Sequence, residues 1–158
     1  MALTDTDPVA IRIAQQIVST LQAISAGDDY YHNMRHVELS RGGWFNPPVY
    51  PACVVIPRTV NVDVPGESLT DSAVFDHDFQ ITAVIEYRTD AAEELYKLYA
   101  DIHHAIMADV TRGELAESTR VVLWESLVPV DEADQLSELD ILIRVRFRTE
   151  QADLTTAV

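Results

Sequence analysis

The chain has 158 residues, with 26 acidic side chains against 11 basic ones and a formal net charge of -15. That length fits one ordinary domain, and a composition of 47% hydrophobic and 23% charged residues is globular, which excludes a disordered polyacidic chain. The sign of the charge excludes sequence-independent binding to DNA or RNA, which needs a surplus of Lys and Arg against the phosphates.

The opening, MALTDTDPVAIR, has neither the charged nor the apolar region of a signal peptide. Asp7 and Pro8 then predict a helix start, with an acceptor for orphan amides and a proline in the first turn. Ala10, Ile13, Ala14, Ile17, Leu21 and Ile24 recur at helical spacing, and Gly27 supplies the stop. Residues 30 to 41, YYHNMRHVELSR, read as a strand, followed by the loop GGWFNPPVYP, which its prolines and glycines keep irregular. Cys53 to Ile56 is a second, short strand, and residues 57 to 72 read as a long excursion or loosely paired ribbon.

Residues 73 to 88 alternate most clearly. Phe75, Phe79, Ile81, Ala83, Ile85 and Tyr87 share one face, and Asp76, Asp78, Gln80, Thr82, Glu86 and Arg88 the other, so this is a long half-buried strand. Asp90 with Glu93 opens a second helix in the manner of a capping box; its buried stripe is Leu95, Leu98, Tyr99, Ile102, Ile106 and Val110, and Arg112 and Gly113 end it. Residues 119 to 128 and 138 to 149 are two further strands. The last eight residues carry no pattern and are expected to be a flexible tail. No apolar run approaches the ~20 residues that a bilayer requires, so no membrane partner is expected.

The elements imply an α+β fold over residues 1 to 150: an antiparallel sheet of four to five strands with two helices packed on one face, plus the extended loop or ribbon. Residues 151 to 158 remain as the tail.

No catalytic or cofactor-binding constellation emerges. His32 and His36 are ~13 Å apart at strand rise, His103 and His104 diverge on a helix, and His77 lies on an apolar strand face, so no metal site is expected. Cys53 sits in an apolar strand as buried, inert cysteine does. Being alone, it excludes an internal disulfide and points to a reducing setting. Gly42 and Gly43 do not make a phosphate loop.

What stands out is charge placed by strand alternation. Ten of the 11 cations are Arg, and Arg144, Arg146 and Arg148 stand on one strand face, roughly 7 Å apart in succession. Two readings remain open: acids of the same sheet, Asp76, Asp78 and Glu86, neutralise them, or an acidic patch of a second subunit does. Trp44 and Phe45 in the Pro/Gly loop either cap the core or anchor an interface.

The opening helix with its VSTLQAI ending, the Pro-rich loop leading to PACVVIP, the strand running into YRTDAAEELYKLYADIHHAIMAD and the closing ILIRVRFRTEQAD together resemble the tail terminator (tail completion) proteins of long-tailed bacteriophages and their relatives in prophages and gene-transfer particles. The resemblance spans about residues 8 to 150. It implies a non-enzymatic virion protein of the tail or neck, assembled in the host cytoplasm. It further implies a hexameric ring that caps the tail tube, stops its polymerisation and meets the head-completion or connector protein, while genomic DNA passes without specific binding. The alternatives are another neck or tail component, or a small cytoplasmic enzyme or ligand-binding protein using the histidines.

Overall fold

The computed structural model describes residues 7–27, 29–40, 42, 45–63, 72–86, 90–127, 136–150 and 153–157. Within them the chain order is α1 (Val9–Gln22), β1 (His36–Leu39), β2 (Ala52–Asp63), β3 (Ser72–Glu86), α2 (Ala91–Ala108), β4 (Ser118–Leu127), β5 (Leu136–Glu150) and β6 (Asp153–Ala157). The sheet runs β1-β2-β3-β5-β4, with β6 also paired to β5.

Strand alternation divides the sheet into two faces. Antiparallel pairing sets Cys53 beside Ala83 and Val55 beside Ile81. It carries the same rows on to Leu139, Ile141 and Ile143 of β5. These side chains form one cluster with Ile13, Ile17 and Leu21 of α1 and Leu95, Leu98, Ile102 and Ile106 of α2. Both helices therefore cover the same sheet face, as an α+β fold of this pattern requires. Each fully buried Leu or Ile in that layer contributes on the order of 1.5–3 kcal/mol relative to leaving it exposed.

Several boundaries differ from the sequence reading, for local reasons. Only His36–Leu39 of the 30–41 segment is a strand. The amides of Tyr31 and His32 are instead drawn to the Asp101 carboxylate, which removes them from any ladder. β1 pairs with β2 in parallel, so the sheet is mixed and not wholly antiparallel. The twelve residues between Leu39 and Ala52 are long enough to carry the chain back to the starting end, as a parallel pair demands. β2 does not stop at Ile56; it bulges between Pro57 and Val60, where proline cannot donate, and pairs on to Asp63. The ribbon's remaining residues, 64–71, lie outside the described residues, as do Tyr87 and Arg88. Residues 153–157, which carry no strand pattern of their own, form β6 by pairing with β5.

The helices are shorter than their apolar spacing indicates. α1 ends at Gln22 and α2 at Ala108, four residues before Arg112. Arg112, Gly113 and Glu114 all have positive φ, so the chain turns sharply there through a left-handed stretch. Asp109 fastens this turn by accepting from the Thr111 and Gly113 amides and from the Thr111 hydroxyl. No helix among the described residues is long and apolar enough to cross a membrane.

Candidate functional site: the sheet face opposite the helices

The second sheet face carries the charges singled out from the sequence. Register places Asp78 directly across from Arg144 and Asp76 across from Arg146. Each pair is bidentate: Arg144 donates from Nε and Nη2 to Asp78 at 2.6 and 2.9 Å. Arg146 does the same to Asp76 at 2.9 and 2.8 Å. This fork geometry is why Arg rather than Lys occupies the positions. The Arg146 hydrogen bonds hold the Asp76 carboxyl below the usual carboxylate range, and Asp78 raises Arg144 in turn.

Arg148 faces Val74 in β3 and so has no acid directly across. Its Nε reaches instead to Glu117, just before β4, at 3.1 Å. Of the two readings of the Arg ridge, same-chain acids therefore supply its carboxylate partners. Glu117 takes the place given to Glu86, which lies at the far end of β3 opposite Leu136. Arg120 stands opposite Arg144 on β4 and is exposed. Among the described residues it has no ion-pair partner.

The other end of the same face is acidic. Glu125 lies across from Asp140, and Leu127 across from Glu138. A shallow recess of about 410 Å³ is lined by Glu125, Ser126, Glu138 and Asp140. Asp140 accepts a hydrogen bond from the Thr82 hydroxyl at 2.5 Å. Burial, and then the Asp140 charge, push the Glu138 carboxyl up. Asp140 and Arg144 are four residues apart on β5, ~13 Å at strand rise. The face is thus uneven in charge: Arg144, Arg146 and Arg148 stand paired with Asp78, Asp76 and Glu117 at one end of the strands, and Glu125, Glu138 and Asp140 gather at the other.

Phe45 of the Pro/Gly loop is not brought to this ladder. Phe45 is half-buried and stacks on His36 of β1, ring centroids 6.4 Å apart, at the opposite side of the sheet from β4 and β5. Trp44 lies outside the described residues.

His32, His77 and Cys53 are embedded in the fold. His32 is held between two carboxylates, Nδ1 to Asp101 at 2.8 Å and Nε2 to Glu94 at 3.1 Å. His77 is 7% exposed, stacks on Phe79 at 4.2 Å, and has both ring nitrogens without a hydrogen-bond partner among the described residues. Burial pushes its imidazole below the ordinary range, against a smaller opposing pull from Asp78. Cys53 is fully buried, which pushes its thiol far up and leaves no thiolate for nucleophilic work. Among the described residues no group of three His, Cys, Asp or Glu side chains is placed to hold a metal ion.

Two features escaped the sequence reading. Asp101 sits in the buried stripe of α2, 1% exposed, where an acid needs donors; its position three residues after Leu98 and one before Ile102 was the available signal. Arg112, read as a helix-end cation, is fully buried: Nε donates to the Thr119 hydroxyl at 3.2 Å and Nη2 to the Ile106 carbonyl. Desolvation lowers its guanidinium from the ordinary value.

No protein-family model matches the chain, and no curated protein matches it. Among solved structures, a chain from the virion of a native gene transfer agent particle is similar over 92% of this chain and 98% of that one, at 14% identity and a TM-score of 0.35. A likeness of that size carries no argument about function.

Proposed function

We propose that this chain is a non-enzymatic structural component of a phage-type virion, and specifically a tail terminator. In this reading six copies form a ring on the head-proximal end of the tail tube. The ring stops tube polymerisation, presents a surface to the head-completion or connector protein, and leaves a channel for DNA. The sequence resemblance over residues 8 to 150 motivates the proposal. The observation that carries it is the uneven charge of the sheet face opposite the helices.

A ring requires a heterologous joint, in which two different patches of one subunit meet in head-to-tail order. A face with Arg–carboxylate pairs at one strand end and a group of carboxylates at the other supplies two different patches on one chain. Arg144 and Arg146, held rigid by Asp78 and Asp76, and Arg148, paired with Glu117, are together with the Trp44 and Phe45 loop the proposed contacts with neighbouring subunits. The net charge of -15 also suits a conduit that DNA passes without binding.

Reversing Arg144 or Arg146 would set acid against acid within the sheet, so the test uses cations whose in-chain ties are weaker. Among the described residues Arg120 has no ion pair, its charge acting only at longer range on Asp76, and the Arg148–Glu117 pair is exposed on both sides. Arg120→Glu with Arg148→Glu leaves the fold intact by circular dichroism and abolishes ring formation and tube capping in electron micrographs. Normal rings from this variant overturn the assignment of the joint.

A further inference from the structure

We infer that His32, Glu94 and Asp101 form a pH-sensitive clasp that ties the segment preceding β1 to α2. The inference does not depend on the proposed function. Asp101, 1% exposed, spreads its two oxygens over the Tyr31 amide and the His32 amide, each at 2.9 Å, and one oxygen also contacts His32 Nδ1 at 2.8 Å. The other ring nitrogen lies 3.1 Å from Glu94, seven residues earlier on the same helix. Glu94 is in turn held by Lys97 at 2.9 Å, which also pairs with Glu93 at 2.8 Å.

An ionised carboxylate only accepts, so the two contacts are both hydrogen bonds only when both ring nitrogens carry protons. A neutral ring keeps one proton. If it stays on Nδ1 for the buried Asp101, a lone pair faces the Glu94 oxygen and that contact turns repulsive. The hydrogen bonds from Lys97, followed by that from His32, lower the Glu94 carboxyl, so the acid partner is ionised when the ring is charged. The sign is therefore fixed on both sides. The clasp is complete where Glu94 is ionised and His32 is protonated. It weakens from below as Glu94 takes up a proton, and from above as pH rises and His32 loses one.

Its mechanical consequence falls on residues 30–35. Their other backbone ties are from the Met34 amide to Ile24, the Arg35 amide to Pro51, and the Gly27 amide to Tyr30, each 3.0 Å. His32 and Glu94 also form one wall of a recess of about 350 Å³ shared with Arg35, Tyr50, Ile85 and Glu86. The charged and titratable groups facing the clasp are thus Glu93, Glu94, Lys97 and Asp101 from α2, Arg35 from its own segment, Glu86 from β3 and Tyr50 from the preceding loop. Release of Glu94 loosens this wall while the core beneath it stays closed.

Backbone hydrogen exchange, expressed as protection relative to intrinsic rates, tests the device on the intact chain. Between about pH 6 and about pH 8.5, protection of the Tyr31 and His32 amides falls about five- to tenfold, and that of Ile81 in β3 stays constant. In Glu94→Gln the amide side chain donates to a neutral ring or accepts from a charged one, so the fall disappears while the segment remains protected. Ring ¹⁵N shifts of His32 follow the same transition. Equal protection at both pH values in the parent chain, or an undiminished fall in Glu94→Gln, overturns the inference.

Discussion

Replacing His77 by Phe isolates one buried titrating group. In the native chain His77 lies between Val60 of β2 and Val145 of β5, stacked on Phe79, with neither nitrogen hydrogen-bonded among the described residues. A buried, unsatisfied N–H costs about 1–3 kcal/mol. Phe keeps the stacking ring and removes that donor, and Val60, 43% exposed, leaves room for the added carbon. At pH 7.5 the variant is therefore more stable by about 1–2 kcal/mol, or roughly 2–8 °C in Tm at 2–4 °C per kcal/mol for a chain of this size.

The pH dependence is sharper than the offset. Well above about pH 6.5 His77 is neutral in folded and unfolded chains alike, and its contribution is constant. Because burial depresses the native pKa, falling pH protonates the unfolded chain first. Native stability is then lost at up to about 1.4 kcal/mol per pH unit until the native imidazole also protonates. Phe does not titrate. Urea unfolding of both proteins at pH 7.5, 6.5 and 5.5 should show the variant's advantage widening by about 1 kcal/mol towards the acid end. A constant difference across that range refutes the assignment of His77 as a buried, unpartnered base.

Other substitutions read other parts of the structure. Asp101→Ala strips the acceptor from two backbone amides and His32, and urea denaturation should report a loss of about 3 kcal/mol. Leu98→Ala, at a fully buried site between α2 and the sheet, should cost about 2–5 kcal/mol in the same assay through lost burial and the cavity left behind. Cys53 should resist an aromatic disulfide reagent at pH 8 in the native chain and react on unfolding; rapid native labelling would contradict its burial.

The sheet was legible because its alternation is nearly unbroken. From Phe79 to Ile85 and from Leu139 to Phe147 every second residue belongs to the core, and the same parity placed Asp76, Asp78, Arg144 and Arg146 on one face. Register was not legible, because pairing depends on which strands become neighbours; Arg148 takes Glu117 only because β4 runs alongside β5. The 30–41 segment misled because strand-forming residue types say nothing about a side-chain acceptor 70 positions away that captures the Tyr31 amide. β6 misled in the opposite sense, since a polar segment became a strand by finding a free stretch of β5. Helix ends were overestimated because apolar residues continue at helical spacing past Gln22 and Ala108, whereas the backbone follows the turn that Asp109 fastens.

The central claim is that this chain closes into a ring and ends a growing tube. Purified protein added to polymerising tail tubes, imaged by electron microscopy, tests it most directly. Six-fold rings are expected on one end of each tube, with a tube-length distribution that stops growing once they are present. Tubes that continue to lengthen with the chain bound nowhere at their ends would contradict it.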